Sequence, residues 1–308
     1  MVSKRLQNRV AESRMALPFV AVFAGLVWIA EGLVSGQQWI QFACFSATVY
    51  LMVELNNGNA LIRIYSRMVS CTFLLLSSVT CFLYPSVSGA IAMLCIAAAY
   101  TALFHTYQTK SPGWAFYTFL AIGAGSMAKV HLLFFVPVIW LLMATCLRSL
   151  GWRSFFASLL GLLTPYWFYT AWLIYKNDYT PLFSHFEQLT VFVSPHISYS
   201  ASLIPVFSYL FIFLLAATGT IHFLRTSYKD KIRTRMLYHC FVTLNLFAIL
   251  FLLLQPQHDD LLMRIIIINT SALTGHFVAL THTRITNIVF IGSAATALLL
   301  IALSLWMH

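Results

Sequence analysis

Charge is what this sequence has least of. Only 8% of its 308 residues are charged, 18 Lys and Arg against 8 Asp and Glu. A soluble domain carries about 25% charged residues, so the chain lacks the material to cover a water-facing surface. Disorder needs high charge and low hydrophobicity, and is excluded by the same numbers. Sequence motifs for several chemistries are missing too. There is no GxxxxGK[ST] loop, no Gly-rich dinucleotide fingerprint after a strand, no GxSxG elbow and no HExxH. No CxxC spacing links the six cysteines, which all fall in apolar runs and read as small apolar side chains. No aromatic and basic platform stands outside those runs, so a nucleic-acid partner is not expected despite the net charge of +10. His258 beside two aspartates has no second ligand pattern, and neither a metal nor any other cofactor is expected.

What is present is apolar. Hydrophobic residues make up 60% of the chain, with 26 Phe, 14 Tyr and 8 Trp, and its mean hydropathy is +0.84. Lipid is the solvent that such a surface suits. A helix needs about 20 apolar residues to cross a bilayer core. Eleven candidate segments run at 16–34, 39–55, 68–84, 88–105, 114–127, 131–147, 154–174, 203–223, 236–254, 263–281 and 286–306. Their long runs do not alternate at period 2, as barrel strands would. The expected fold is therefore all-α, a polytopic transmembrane bundle of about eleven spans. Cytoplasmic loops collect Lys and Arg. With the N-terminus cytoplasmic, fifteen of the eighteen Lys and Arg fall inside and only Lys129, Lys176 and Arg264 fall outside. The first span reads as an uncleaved anchor, because its apolar run exceeds that of a signal peptide.

The chain divides into a basic interfacial segment at 1–15, an N-terminal membrane bundle at 16–223, a basic inner loop at 224–235 and C-terminal membrane helices at 236–308. Segment 1–15 mixes arginines with Leu6 and Val10, a composition drawn to anionic headgroups. Between Trp114 and Leu147 the chain is too long for one span and short for two. Gly123, Gly125 and Ser126 are expected to soften its middle, leaving Lys129 at the floor of an outward-facing depression.

The remaining ionisable groups are few, and most face out. Glu31 lies just below the outer interface, where a carboxylate suits a base or a proton carrier. Asp178 lies in the one long outer segment, 175–202. Asp259 and Asp260 are further outer-face acids. Asp260 and Arg264 are four apart, so one helical turn pairs them. Lys129 and Arg264 are candidate phosphate binders. The tenth span is polar for a membrane helix. Asn269 and His276 share a face, and Asn245 of the ninth span is a candidate partner in a polar path.

Two resemblances follow from the residues. The stretch Ala121-Ile-Gly-Ala-Gly-Ser-Met-Ala-Lys129, then Arg148…Arg153, Leu159-Leu-Gly-Leu-Leu-Thr-Pro-Tyr-Trp-Phe168 and Tyr175-Lys-Asn-Asp178, is similar to the middle of polyprenyl-phosphate-dependent membrane glycosyltransferases of the GT-C superfamily. It covers about 60 mostly apolar residues. The whole chain resembles bacterial polytopic inner-membrane proteins of about this length. The GT-C resemblance implies an enzyme or accessory factor handling a lipid-linked polyprenyl-phosphate glycan at the outer face. Glu31 or Asp178 would be the catalytic base, and Lys129 and Arg264 would hold the lipid phosphate. The chain departs from that family in its first outer loop, which has about four residues and no acid. Two other expectations stand beside it. One is a secondary transporter or flippase lined by Glu31, Lys129, Asn245, Asn269 and His276. The other is a non-catalytic subunit of a membrane complex.

Overall fold

The computed structural model describes residues 5–191 and 203–306. Lys4, His196 and the terminal Met307-His308 lie outside them, so their expected sidedness has no structural counterpart here. The described residues form thirteen α-helices linked by short 3-10 turns, with no strand among them. Five stretches are long and apolar enough to cross a membrane: Val87–His105, Leu203–Lys229, Ile232–Leu254, Pro256–Leu280 and Arg284–Trp306.

Each of the eleven apolar segments coincides with a helix, alone or joined to a 3-10 turn. Fewer than eleven pass as spans because several helices are short and others, such as the 21-residue and 25-residue helices at Trp39–Asn59 and Trp152–Lys176, are too polar. Helix α1 (Leu6–Glu12) meets α2 (Ala16–Ala30) at 92°. Helix α3 is Trp39–Asn59, and α4 is only Met68–Val79, extended by the 3-10 turn Cys81–Leu83. Then come α5 (Val87–His105), α6 (Pro112–Ala128), the 3-10 turn Val130–Phe135 and α7 (Val136–Thr145). Helix α8 is Trp152–Lys176 and α9 is Thr180–Glu187. The chain closes with α10 (Leu203–Thr226), α11 (Ile232–Leu254), α12 (Asp259–Leu280) and α13 (Arg284–Trp306).

The core is built round α12. Every residue from Leu261 to Ala279 is buried, because α4, α5, α10 and α11 pack against it. Helices of the 16–223 and 236–308 segments thus share one core. Helix α4 runs antiparallel to α12. The Thr72 hydroxyl donates to the Ser271 carbonyl at 2.7 Å, and near the far end Arg264 reaches the Leu83 carbonyl. The outer helices turn apolar residues outward. On α8, Trp167 is 76% exposed, and Phe168 and Leu160 are exposed beside it. On α13, Ile285, Ile288 and Leu299 are exposed. Apolar side chains displayed this way suit lipid rather than water.

Two expectations about turns need correction. Gly123 and Gly125 do not break the 114–147 stretch. Helix α6 continues through both, and the break comes at Lys129, whose φ of −142° leaves the helical region. The glycines serve packing instead. A Cβ on Gly123 would lie 2.6 Å from the Leu162 carbonyl oxygen, and one on Gly161 would strike the Phe116 carbonyl. Small residues let α6 and α8 approach backbone to backbone. Similarly, Asn56-Asn57-Gly58-Asn59 is the last turn of α3 rather than a loop, and Ala60 (φ 47°) ends the helix. The asparagines are tied down there, with the Asn56 amide donating to the Ser66 carbonyl at 2.9 Å.

Gly161→Ala is therefore expected to destabilise the bundle by about 1–3 kcal/mol, the usual cost of overpacking. Gly292→Ala, where nothing lies within 4 Å of the new methyl, is expected to be neutral or slightly stabilising through helix propensity. Thermal unfolding of both variants in one detergent measures the difference, and equal melting temperatures would contradict the close α6–α8 crossing.

Candidate functional site

The start of α12 gathers polar groups from four separate stretches. Asp259 and Asp260 form its first turn, where carboxylates favour the positive end of the helix dipole. The Asp259 carboxylate caps the Asp260 amide at 2.8 Å and accepts from the Tyr209 hydroxyl at 2.9 Å. Asp260 is more heavily engaged. Its Oδ1 accepts from Arg264 Nε at 2.9 Å. Its Oδ2 accepts from the Ser86 hydroxyl at 2.7 Å and faces Lys129 Nζ at 3.0 Å. Ser86 is also the N-cap of α5, accepting from the Gly89 amide at 3.1 Å. A Cβ on Gly89 would lie 2.5 Å from Arg264 Nε and from both Asp260 oxygens, so the glycine leaves room for this ion pair.

The three charges of the pair and its neighbour differ in access. The side chains of Arg264, Asp260 and Lys129 are 5%, 19% and 31% exposed. Arg264 bonds Asp260 and the Leu83 carbonyl and, at 5% exposure, is closed to a further ligand by burial. Lys129 has Asp260 as its one ion-pair partner among the described residues. A lysine ammonium has three donors, so it retains capacity for a second acceptor. Beside it, the rings of His131 and His258 stack with centroids 3.5 Å apart. From them an aromatic path leads through Phe134 and Phe251, 5.3 Å apart. It opens on an apolar groove of about 140 Å³ formed by Phe134, Phe247, Leu250, Phe251 and Leu254.

Of the residues expected to act together, Lys129, Arg264 and Asp260 converge. Glu31 does not join them. It ends α2 and lies against the Cys81 thiol, with Tyr84 between it and Arg264. Tyr84 stacks on Trp28 at 3.7 Å. Asp178 stands apart on the turn between α8 and α9. Its carboxylate accepts from the Thr180 hydroxyl and backbone amide. Those hydrogen bonds, with Lys176 nearby, hold its pKa below the ordinary carboxylate value, which weakens it as a base. On α9, burial lowers the pKa of His185, which lies 3.4 Å from the Tyr166 hydroxyl.

The polar residues of the expected path are all buried but have different neighbours. Asn245 donates to the Thr270 hydroxyl at 3.4 Å rather than to Asn269 or His276, since a helix presents successive residues 100° apart. Asn269 faces Tyr100. His276 meets Asp230, from the basic stretch between α10 and α11. Its Nε2 lies 3.0 Å from Asp230 Oδ2, with side-chain exposures of 0% and 3%. Arg63 adds a looser contact to Asp230 at 3.8 Å. Ser86, Gly89 and Asp230 were the residues missed. Asp230 was the most readable of them, as the one acid in the basic run Arg225–Arg235.

No protein-family model, curated protein or solved structure matches the chain. Among the described residues, no group of three or more His, Cys, Asp and Glu is arranged to hold a metal ion.

Asp260→Ala leaves the Arg264 guanidinium buried without its carboxylate. The expected loss is about 3–5 kcal/mol, the scale for breaking a buried pair. Lys129→Ala, at a partly exposed ammonium, is expected to cost under about 1 kcal/mol. Unfolding of each variant in mild detergent tests the ranking. Equal losses would show that Lys129 is a structural member of the pair.

Proposed function

We propose that this is a bacterial inner-membrane protein of about eleven spans, with its N-terminus in the cytoplasm. On this reading it binds the phosphate of a lipid-linked, polyprenyl-phosphate-type glycan at its outer face, as a GT-C-like enzyme or an accessory factor. The observation that carries the reading is the availability of Lys129. It stands at a helix break with spare donors, and an apolar groove begins five residues on, at Phe134. A headgroup cation next to a greasy groove matches the two halves of a lipid phosphate. The sidedness rests on the positive-inside split of Lys and Arg. The span count is supported by a helix at every apolar segment.

The geometry favours some roles within this reading. Asp260 is saturated by three donors and serves to hold Lys129, not to take a proton. Arg264 is a positioning residue rather than a second phosphate clamp. Glu31 lies against the Cys81 thiol and Asp178 is bonded to Thr180, so neither is assigned a step with Lys129. The binding function is therefore better supported than a transfer step.

A transporter is the second reading, and one observation favours it. Asp230 and His276 form a further buried acid–base pair at the opposite end of α12 from Asp260. In-membrane ionisable groups of this kind serve proton-coupled transport in many bundles.

Two measurements separate the readings. Purified protein is expected to bind undecaprenyl-phosphate, with affinity falling on the order of 10-fold in Lys129→Ala, as loss of a charge-assisted contact implies. Unchanged binding would refute the lipid-phosphate role. Proton-dependent flux in proteoliposomes that His276→Ala abolishes would establish transport instead.

A further inference from the structure

A further apolar groove, near a cluster of cations, lies at the other end of the molecule, away from Lys129. It has a volume of about 290 Å³ and runs between α2, α4 and α13, with Val10 of α1 at its mouth. Phe19 and Phe23 line one wall, Leu75 the floor, and Phe290 and Leu298 the other wall. The three helices run in the same direction. Glu31 and Cys81 adjoin at the far ends of α2 and α4, and the Cys81 thiol donates to the Ser304 hydroxyl at 3.1 Å near the end of α13. Their starts are therefore together as well. Gln7 of α1 bonds Val278 and Thr281 there, at the end of α12.

At that shared end each helix is preceded or opened by an arginine. Arg14 stands two residues before α2, Arg67 directly before α4, and Arg284 is the first residue of α13. Arg9, next to groove-lining Val10, adds a fourth. Arg9, Arg14 and Arg284 are exposed and have no ion-pair partner among the described residues. Glu12 is the one acid on α1. From Phe290 to Leu298 the groove extends about 12 Å at the helical rise, close to half of a ~30 Å hydrocarbon core. That is most of the depth of one leaflet.

We infer that this groove is a binding site for an anionic glycerophospholipid. One acyl chain lies between α2 and α13, and the phosphate sits among Arg9, Arg14 and Arg284. The occupant is argued from both halves of the site. Charge complementarity requires an anion at the mouth, and the groove requires a chain reaching most of one leaflet's depth. The neutral phospholipid satisfies only the second requirement, and a free phosphate only the first. The site is independent of the Lys129 reading, since it shares no residue with it.

Native mass spectrometry of delipidated protein in a neutral detergent tests this. The probes are phosphatidylglycerol and phosphatidylcholine of identical chains. Wild type is expected to hold phosphatidylglycerol at least 10-fold more tightly. Arg9→Gln, Arg14→Gln and Arg284→Gln are each expected to weaken it about fivefold, the share of one arginine near a charged surface. Ala294→Trp, which fills the groove, is expected to abolish binding of both lipids. Leu298→Trp repeats that arm if Ala294→Trp is not monodisperse. Arg153→Gln, an exposed arginine opening α8 outside the groove, is the control. Equal weakening by Arg153→Gln means diffuse adsorption and overturns the site. Binding unaffected by the groove-filling variants overturns it as well. A protein dimer that Ala294→Trp dissociates, with no bound lipid, assigns the groove to a second copy and not to phospholipid.

Discussion

A helix buried on every side depends on its neighbours for most of its polar partners, and α12 is such a helix, although Asn269, Thr274 Oγ1 and His276 Nδ1 are left without a hydrogen bond. Its sequence is not that of a greasy rod. It includes Asp260, Arg264, Asn269, Thr270, Ser271, Thr274 and His276. In hydrocarbon each unsatisfied group costs several kcal/mol. The neighbours of α12 are therefore fixed as much by these groups as by shape. Helix α5 brings Ser86 and Gly89 to Asp260, and α4 brings the Thr72 hydroxyl to Ser271. Helix α11 brings Asn245 to Thr270, and the loop before it brings Asp230 to His276. Asp260 and His276 are sixteen residues apart, about 24 Å along the axis. An ion pair at one end, the Asp230–His276 contact at the other and hydroxyl contacts between them set both the depth and the rotation of α12.

This arrangement explains how short apolar helices are held within the bundle. Helix α4 has only 12 residues, and α7 has 10. Neither could satisfy its ends in lipid alone. The free carbonyl of Leu83, after α4, accepts from Arg264. The chain before α7 passes through a 3-10 turn from Val130 to Phe135, beside Lys129 and the stacked histidines. Irregular backbone is thus placed where polar side chains or close packing cover it, as the absence of water requires.

The same constraint decides what could be read without coordinates. Segments of apolar residues announce themselves locally, so helix positions were legible at all eleven places. Asp260 with Arg264 was legible for the same reason, since four residues make one turn. Partners distant in sequence were not. Ser86 is 174 residues from Asp260 and Asp230 is 46 from His276, and no periodicity encodes such separations. Gly89 gave no signal, because its role is an empty volume beside another helix. The glycines of α6 gave a misleading one. Read alone they weaken a helix, but packed against α8 they are the reason the helix fits. Helix count and membrane crossing also proved to be separate questions, as only five helices have both the length and the hydropathy.

The burial pattern finally bears on how the two ends of the molecule relate. Lys129 is the most exposed member of its cluster, while Arg264 beneath it is nearly sealed. An anion arriving at Lys129 competes with the Asp260 carboxylate for the same ammonium. It leaves the Asp260–Arg264 pair and the Ser86 bond intact, so the first response is confined to the Lys129 side chain and the break after α6. Movement of α12 itself would require breaking the Asp260–Arg264 contact at 2.9 Å, in which the arginine is buried. At the other end it would require parting Asp230 from His276, where neither group has water to turn to. A helix pinned in this way has no cheap intermediate position. Any signal between the two ends must pass as a displacement of α12 between discrete registers or not pass at all. The two contacts, one at each end, thus resist a gradual sliding of α12 against its neighbours.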